Sequence, residues 1–132
     1  EPDVVSKLQS DPAPVSASPL ELRSVRFVGK GNGLELHSGE LAKVVVEVYN
    51  NTPEYMYNVK PMVMETSGNK HVFVSAPIIV EKIAPGKGIR YTAMVKADKK
   101  LKDGKVHFTV CAQESAQLRK SEIREFDVTT IR

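Results

Sequence analysis

Between Leu41 and Asn50 the chain reads LAKVVVEVYN, with Ala42, Val44, Val46 and Val48 alternating with Lys43, Val45, Glu47 and Tyr49. A repeat of two is the pattern of a strand with one face in a core, because successive side chains of an extended chain point to opposite sides. Further runs of this kind follow, each closed by Gly, Pro, Asn or Asp. They predict strands over 20–28, 41–50, 56–66, 71–75 running on to 78–83, 88–97, 105–113 and 121–131, and no long helical period accompanies them.

Seven or eight strands within about 112 residues, with turns at sandwich spacing, predict an all-β, immunoglobulin-like β-sandwich with an extended N-terminal segment. The turn chemistry agrees. Ser67-Gly68-Asn69 between two strand-like runs is a hairpin signal, since Gly and Asn tolerate positive φ. Ala84-Pro85-Gly86-Lys87 has Pro preset for the first central position of a type II turn and Gly for the second, and Asp103-Gly104 closes a longer loop. Pro61 cannot donate to a ladder, so its strand is expected to bulge there or to lie at an edge. Residues 1–19 carry prolines at 2, 12, 14 and 19 with Ser and Ala between them, and read as a separable linker or tail ahead of one domain over 20–132.

Composition narrows the function classes. At 132 residues there is room for one core; a charge of +3 is far from the concentrated basic footprint that phosphate backbones require, so nucleic acid is not an expected partner. The absence of Trp and 6% aromatics argue against an aromatic-rich sugar platform. No run approaches the roughly 18 apolar residues of a bilayer span, which leaves a membrane connection only through an anchor outside this sequence.

Few residues offer chemistry. If Tyr57, Val59 and Val63 face the core, Met56, Met62 and Met64 form an outward row of thioethers, an adaptable surface for a protein partner or a neighbouring domain. The competing reading is that a loop or the Pro-rich segment covers them, or that a bulge at Pro61 turns some inward. Cys111 alternates with Val110 and Ala112, and is expected to be a semi-buried strand residue rather than a reactive thiol. His37, His71 and His107 fall in different elements without metal-ligand spacing, so no metal and no cofactor is expected. Gly29-Lys30-Gly31-Asn32-Gly33 lacks the Gly-Lys-Ser/Thr ending of a phosphate loop and reads as a turn, and Asn32, Glu35 and Glu40 lack the dense Asp pattern of a calcium loop. Lys96, Lys99, Lys100, Lys102 and Lys105 flank a loop diluted by Asp98 and Asp103, as a solubilising loop would. Asn50-Asn51-Thr52 matches the glycan acceptor pattern. With no nucleophile-base motif, no catalytic residue is named and the chain is expected not to be an enzyme.

The segments GLELHSGELAKVVVEVYNNTPEYMYNVKPMV and IAPGKGIRYTAMVKADKKLKDGKVHFTVCAQE resemble the bacterial immunoglobulin-like modules grouped as cell-adhesion-related domains. There a Gly-Glu entry precedes a Val-rich strand ending in Asn, and a Pro-Gly turn leads into a further strand. The likeness spans about residues 20–131 and rests on turns and core alternation. It implies an accessory module exported beyond the inner membrane, in the periplasm or at the cell surface, without catalytic residues. Three functions follow as expectations: an extracytoplasmic interaction or spacer module, an accessory domain of a larger hydrolase or peptidase, and a carbohydrate-binding sandwich. The oligomeric state is left open.

Overall fold

The computed structural model describes residues 5–8, 19–31, 33–115 and 119–132. Among them run ten strands: β1 (Val5–Leu8), β2 (Leu20–Val28), β3 (Glu35–His37), β4 (Leu41–Asn50), β5 (Met56–Glu65), β6 (Val72–Val74), β7 (Val80–Ile83), β8 (Gly88–Ala97), β9 (Gly104–Glu114) and β10 (Arg124–Ile131). They form two five-stranded sheets. The first is ordered β1-β8-β4-β2 with β6 also on β8, and the second β3-β10-β9-β5-β7. Only the β3–β10 pair is parallel among these ladders. The chain is an all-β, immunoglobulin-like sandwich.

The alternation read along β4 sets the inner face of the first sheet. Ala42, Val44, Val46 and Val48 point inward with Leu22, Ile89, Tyr91, Ala93 and Val95, and meet Val59, Val106, Phe108, Val110, Ala112 and Val128 of the second sheet, all almost inaccessible to water. Each valine, leucine or isoleucine side chain among them contributes roughly 1.5–3 kcal/mol by leaving water. Phe27, Phe108 and Phe126 close one side of this core, with ring centroids 6.3, 6.5 and 5.4 Å apart. On the outer face of β4, Tyr49 is also buried, because the Arg23 guanidinium lies 3.8 Å over its ring. Gly88 stands opposite Tyr49, where a Cβ would come within 2.7 Å of that ring.

Several expectations are corrected by tertiary pairing. Residues 5–8, inside the stretch read as a linker, form β1 and pair with Gly88–Tyr91 of β8, because the edge of β8 offers a ladder that a short local pattern cannot announce; residues 1–4 and 9–18 lie outside the described residues. The run expected to continue from 71–75 to 78–83 is two strands in different sheets, β6 on β8 and β7 on β5. Ser67-Gly68-Asn69, with Gly68 at φ 77°, therefore arches from one sheet to the other instead of closing a hairpin. The Ala84–Lys87 turn is as expected, with Gly86 at φ 71° and Lys87 N–H donating to Ala84 C=O at 3.1 Å. Pro61 lies where β5 pairs with β9 alone, past the last β7 pair at Val59 and Val80, and so sits at a local edge.

Buried polar side chains fasten the connections. Asn50 donates its amide hydrogens to Glu54 C=O (2.7 Å) and Ile83 C=O (2.9 Å), while its Oδ1 accepts from Thr52 N–H (2.9 Å). This is the asparagine of the glycan acceptor pattern. Its amide is fully buried and occupied, so the folded chain does not present it for modification.

Two measurements check this architecture. Val46→Asp places a carboxylate between the sheets and is expected to cost more than about 3 kcal/mol, whereas Glu47→Lys, which loses only the 3.7 Å surface pair with Arg90, costs at most about 1 kcal/mol. Equal denaturation midpoints would put the register off by one residue. Removal of residues 1–8 is expected to lower stability by about 1–3 kcal/mol through loss of the β1–β8 ladder, read from chemical denaturation of the two chain lengths.

Candidate functional site

The outward face of the second sheet carries the residues expected to make contacts. Facing pairs across β5 and β9 are Lys60–Gln113, Met62–Cys111 and Met64–Thr109, with Glu125 of β10 beyond Thr109. Met62 is half-buried and Met64 is 39% exposed, as an outward thioether row requires.

Met56 does not belong to this row. Its side chain is fully buried, whereas Tyr57, expected in the core, is 48% exposed. The reversal comes from Asn58, whose φ of 56° flips the side-chain alternation before Val59 returns inward. The irregularity thus falls three residues ahead of Pro61, the position at which a bulge was expected. Asn is among the few non-glycine residues that adopt this conformation readily, and that was the available signal. Tyr57 is left stacked on Tyr55, with centroids 6.2 Å apart and Lys82 Nζ 5.7 Å from the Tyr55 ring centroid.

Beside the methionines lies a hollow of about 190 Å³ lined by Asn58, Lys60, Met62, Ile79, Gln113 and Ser115. Ile79 is 62% exposed at its rim. The lining is a flexible thioether and an isoleucine with amide, hydroxyl and ammonium groups around them, a surface suited to holding an apolar side chain of a partner.

At the far end of the same face, His107 is held on both ring nitrogens: Nδ1 lies 2.7 Å from Asp127 Oδ1 and Nε2 2.8 Å from Glu125 Oε1. Sequence spacing missed this cluster because the β9–β10 register, and not chain proximity, creates it. The hydrogen bond to Asp127, followed by that to Glu125, raises the imidazole pKa above its ordinary value. The carboxylates occupy opposite nitrogens, so the ring has no lone pair directed at a shared ion. Among the described residues no group of three or more such side chains is placed to hold a metal.

The remaining candidates settle into structural roles. Cys111 is half-buried and burial pushes its thiol pKa up, with a smaller opposing effect from Lys120, which favours the inert protonated form. His71 Nδ1 sits 3.0 Å from Asp98, whose Oδ1 caps Lys100 N–H at 2.8 Å; with Leu101 buried, the loop is anchored while Lys96, Lys99, Lys100, Lys102 and Lys105 stay exposed. Glu40 is buried and accepts from Lys30 N–H (2.5 Å) and His37 N–H (2.7 Å). Burial alone raises its pKa, but these hydrogen bonds outweigh it and the net shift is downward. It ties the glycine-rich turn to β3, leaving its oxygens engaged by the protein itself. Asn32 lies outside the described residues.

No protein-family profile and no curated protein sequence matches the chain. Solved structures share its fold. The native conformation of alpha-2-macroglobulin from Escherichia coli matches with a TM-score of 0.59 at 12% identity, over 86% of this chain and 7% of that one. A FixG-related protein from Vibrio parahaemolyticus gives 0.55 at 12% identity, over 86% and 98% respectively. A family 123 glycoside hydrolase from Clostridium perfringens gives 0.50 at 12% identity, over 76% and 23%. At these identities the likeness is one of fold. The chain spans less than a tenth of the macroglobulin's length and about a quarter of the hydrolase's.

His107 supplies a pH-dependent test of the described geometry. Its folded pKa is raised, so its contribution to stability is complete below about pH 6.5 and is lost as pH rises through the raised value. Wild type minus His107→Gln is therefore expected to show a stability difference at pH 5.5 that shrinks by pH 8.5 in thermal melts. A constant difference would mean that the ring is not paired in solution.

Proposed function

We propose that this chain is a non-enzymatic interaction or spacer module of a bacterial envelope protein, acting outside the cytoplasm against a protein partner or a neighbouring domain. The observation that carries this reading is the Met62–Met64 row beside the hollow rimmed by Ile79, an apolar and deformable contact surface on the outer face of the second sheet. The resemblance to cell-adhesion-related modules supports the extracytoplasmic setting.

A second reading, an accessory domain of a larger surface hydrolase or peptidase, is favoured by the fold's occurrence within a longer glycoside hydrolase chain. The two differ in what lies beside the module in the full reading frame and share the same contact chemistry. For the carbohydrate reading, the half-exposed Tyr55 and Tyr57 rings are the relevant feature, and titration with soluble glycans tests it directly.

The deciding experiment replaces Met62 and Met64 together with Gln. Both are at least partly exposed, so the melting temperature is expected to hold, while self-association or capture of an envelope partner weakens about tenfold or more through loss of apolar contact. Unfolding would place the pair in the core. A folded variant that associates as before would remove the patch and leave a spacer.

A further inference from the structure

The two ends of the exposed edge of β2 are treated differently. At Leu22, just before the register shift between Leu22 and Ser24, the backbone is sealed: its N–H donates to Glu122 Oε1 at 3.3 Å and its C=O accepts from Arg124 Nη2 at 2.7 Å. Leu22 therefore turns its backbone groups away from β4, and its partner Val48 turns its own toward β8. Alternate residues of β4 repeat that direction, so Val46 and Val44 also bond to β8, and their β2 partners Val25 and Phe27 direct N–H and C=O to the free edge. The bond from Ser75 N–H to Met94 C=O at 2.9 Å, pointing away from β4 opposite Lys43, agrees with this phase. Among the described residues no hydrogen bond reaches the edge-facing groups of Val25 and Phe27.

Directly inside that edge is a second hollow of about 190 Å³, lined by Val25, Phe27, Leu34 and Phe126 with Arg124 and Glu125 at the rim. It opens between the sheets, floored by the Phe27–Phe126 contact at 6.5 Å. Leu34 stands 48% exposed beside it. On the outward face, between Val25 and Phe27, Arg26 is exposed and has no carboxylate within ion-pair distance among the described residues. An unpaired ladder, an apolar recess at the inward positions and an uncompensated cation at the outward one together specify a complementary strand.

We propose that Val25–Phe27 of β2 is a strand-addition site for an extended polypeptide segment of a partner, which places an apolar side chain in the Phe27–Phe126 hollow and a carboxylate beside Arg26. It rests on the interaction-module reading and names the partner's chemistry. The β2 edge belongs to the first sheet and its hollow opens between the sheets, whereas Met62 and Met64 stand on the outer face of the second, so the two surfaces are measured separately. Seating the strand satisfies the backbone groups of Val25 and Phe27 and withdraws Leu34 and Phe126 from water. The Glu122–Arg124 seal at Leu22 limits the added ladder to the few residues between the bulge and Gly29.

The test is selection of random nine-residue peptides displayed against the whole chain, followed by synthesis of the winners as probes. Winning peptides are expected to alternate apolar and polar residues with Asp or Glu next to the apolar anchor, and to slow amide hydrogen exchange at Val25 and Phe27. Methylating the central backbone nitrogens of the peptide, or making Arg26→Glu or Leu34→Ser, is expected to weaken binding roughly tenfold. Both protein variants alter exposed side chains and are expected to melt where the parent chain does, which thermal melts check. The Met62→Gln/Met64→Gln chain should bind these peptides unchanged; loss of binding there would mean the probes use the methionine face, and would overturn the strand site alone. Failure to enrich any peptide, equal binding by the N-methylated form, protection at the Gly88–Tyr91 edge instead, or concentration-dependent self-pairing through β2 would each overturn it.

Discussion

The dry contact between the inner faces of the two sheets is the constraint on which the rest of this molecule depends, and β4 is its keel. Flanked by β2 and β8, this strand has every inward side chain from Ala42 to Val48 sealed against water. Because that face tolerates neither a gap nor a charge, the register of its neighbours is fixed, and through them the direction of each outward residue. The Met62–Met64 row, the His107 cluster and the open stretch of β2 are consequences of which residues were left over once the inner faces had closed.

Burial on this scale requires that the chain enter and leave the sheets without stranding polar groups, and three buried side chains meet that need. Glu40 accepts from one amide of the glycine-rich turn and one of β3, Asn50 links the end of β4 to the 50–54 loop and to β7, and Glu114 receives Arg119 through two bonds of 2.9 and 2.8 Å. Charged and amide groups are stable at such depth only with their hydrogen-bonding capacity filled. Their chemistry is thereby spent on the fold, which is why residues that look reactive in the sequence are not the ones available to a partner.

The long strands were legible in the sequence because alternation is a local property: β2, β4 and β8 have the predicted boundaries, and β5 differs by one residue. What could not be read locally was partnership. Val5–Leu8 and Glu35–His37 are too short to show a period and become strands only because β8 and β10 offer them edges. For the methionines, only the direction of the side chains was legible, and at two of the three positions. Met62 and Met64 obey strict alternation, whereas Met56 lies on the far side of Asn58, where one left-handed residue exchanges inside for outside. His107 was invisible as a cluster because Glu125 and Asp127 lie 18 and 20 residues away in the chain.

The shared edge of β8 also bears on how the molecule answers mechanical load. β1 occupies its Gly88–Tyr91 half and β6 its Val95–Ala97 half, while the opposite edge of β8 is engaged with β4 over nine residue pairs. A pull on the N-terminal side therefore meets a four-pair ladder before it meets the sandwich. Peeling β1 releases Val5–Leu8, about 14 Å of chain at roughly 3.3–3.6 Å per residue, while the β4–β8 ladder stays closed. Under load this short ladder is expected to unzip before the two sheets part, so the first step of extension leaves the buried faces dry.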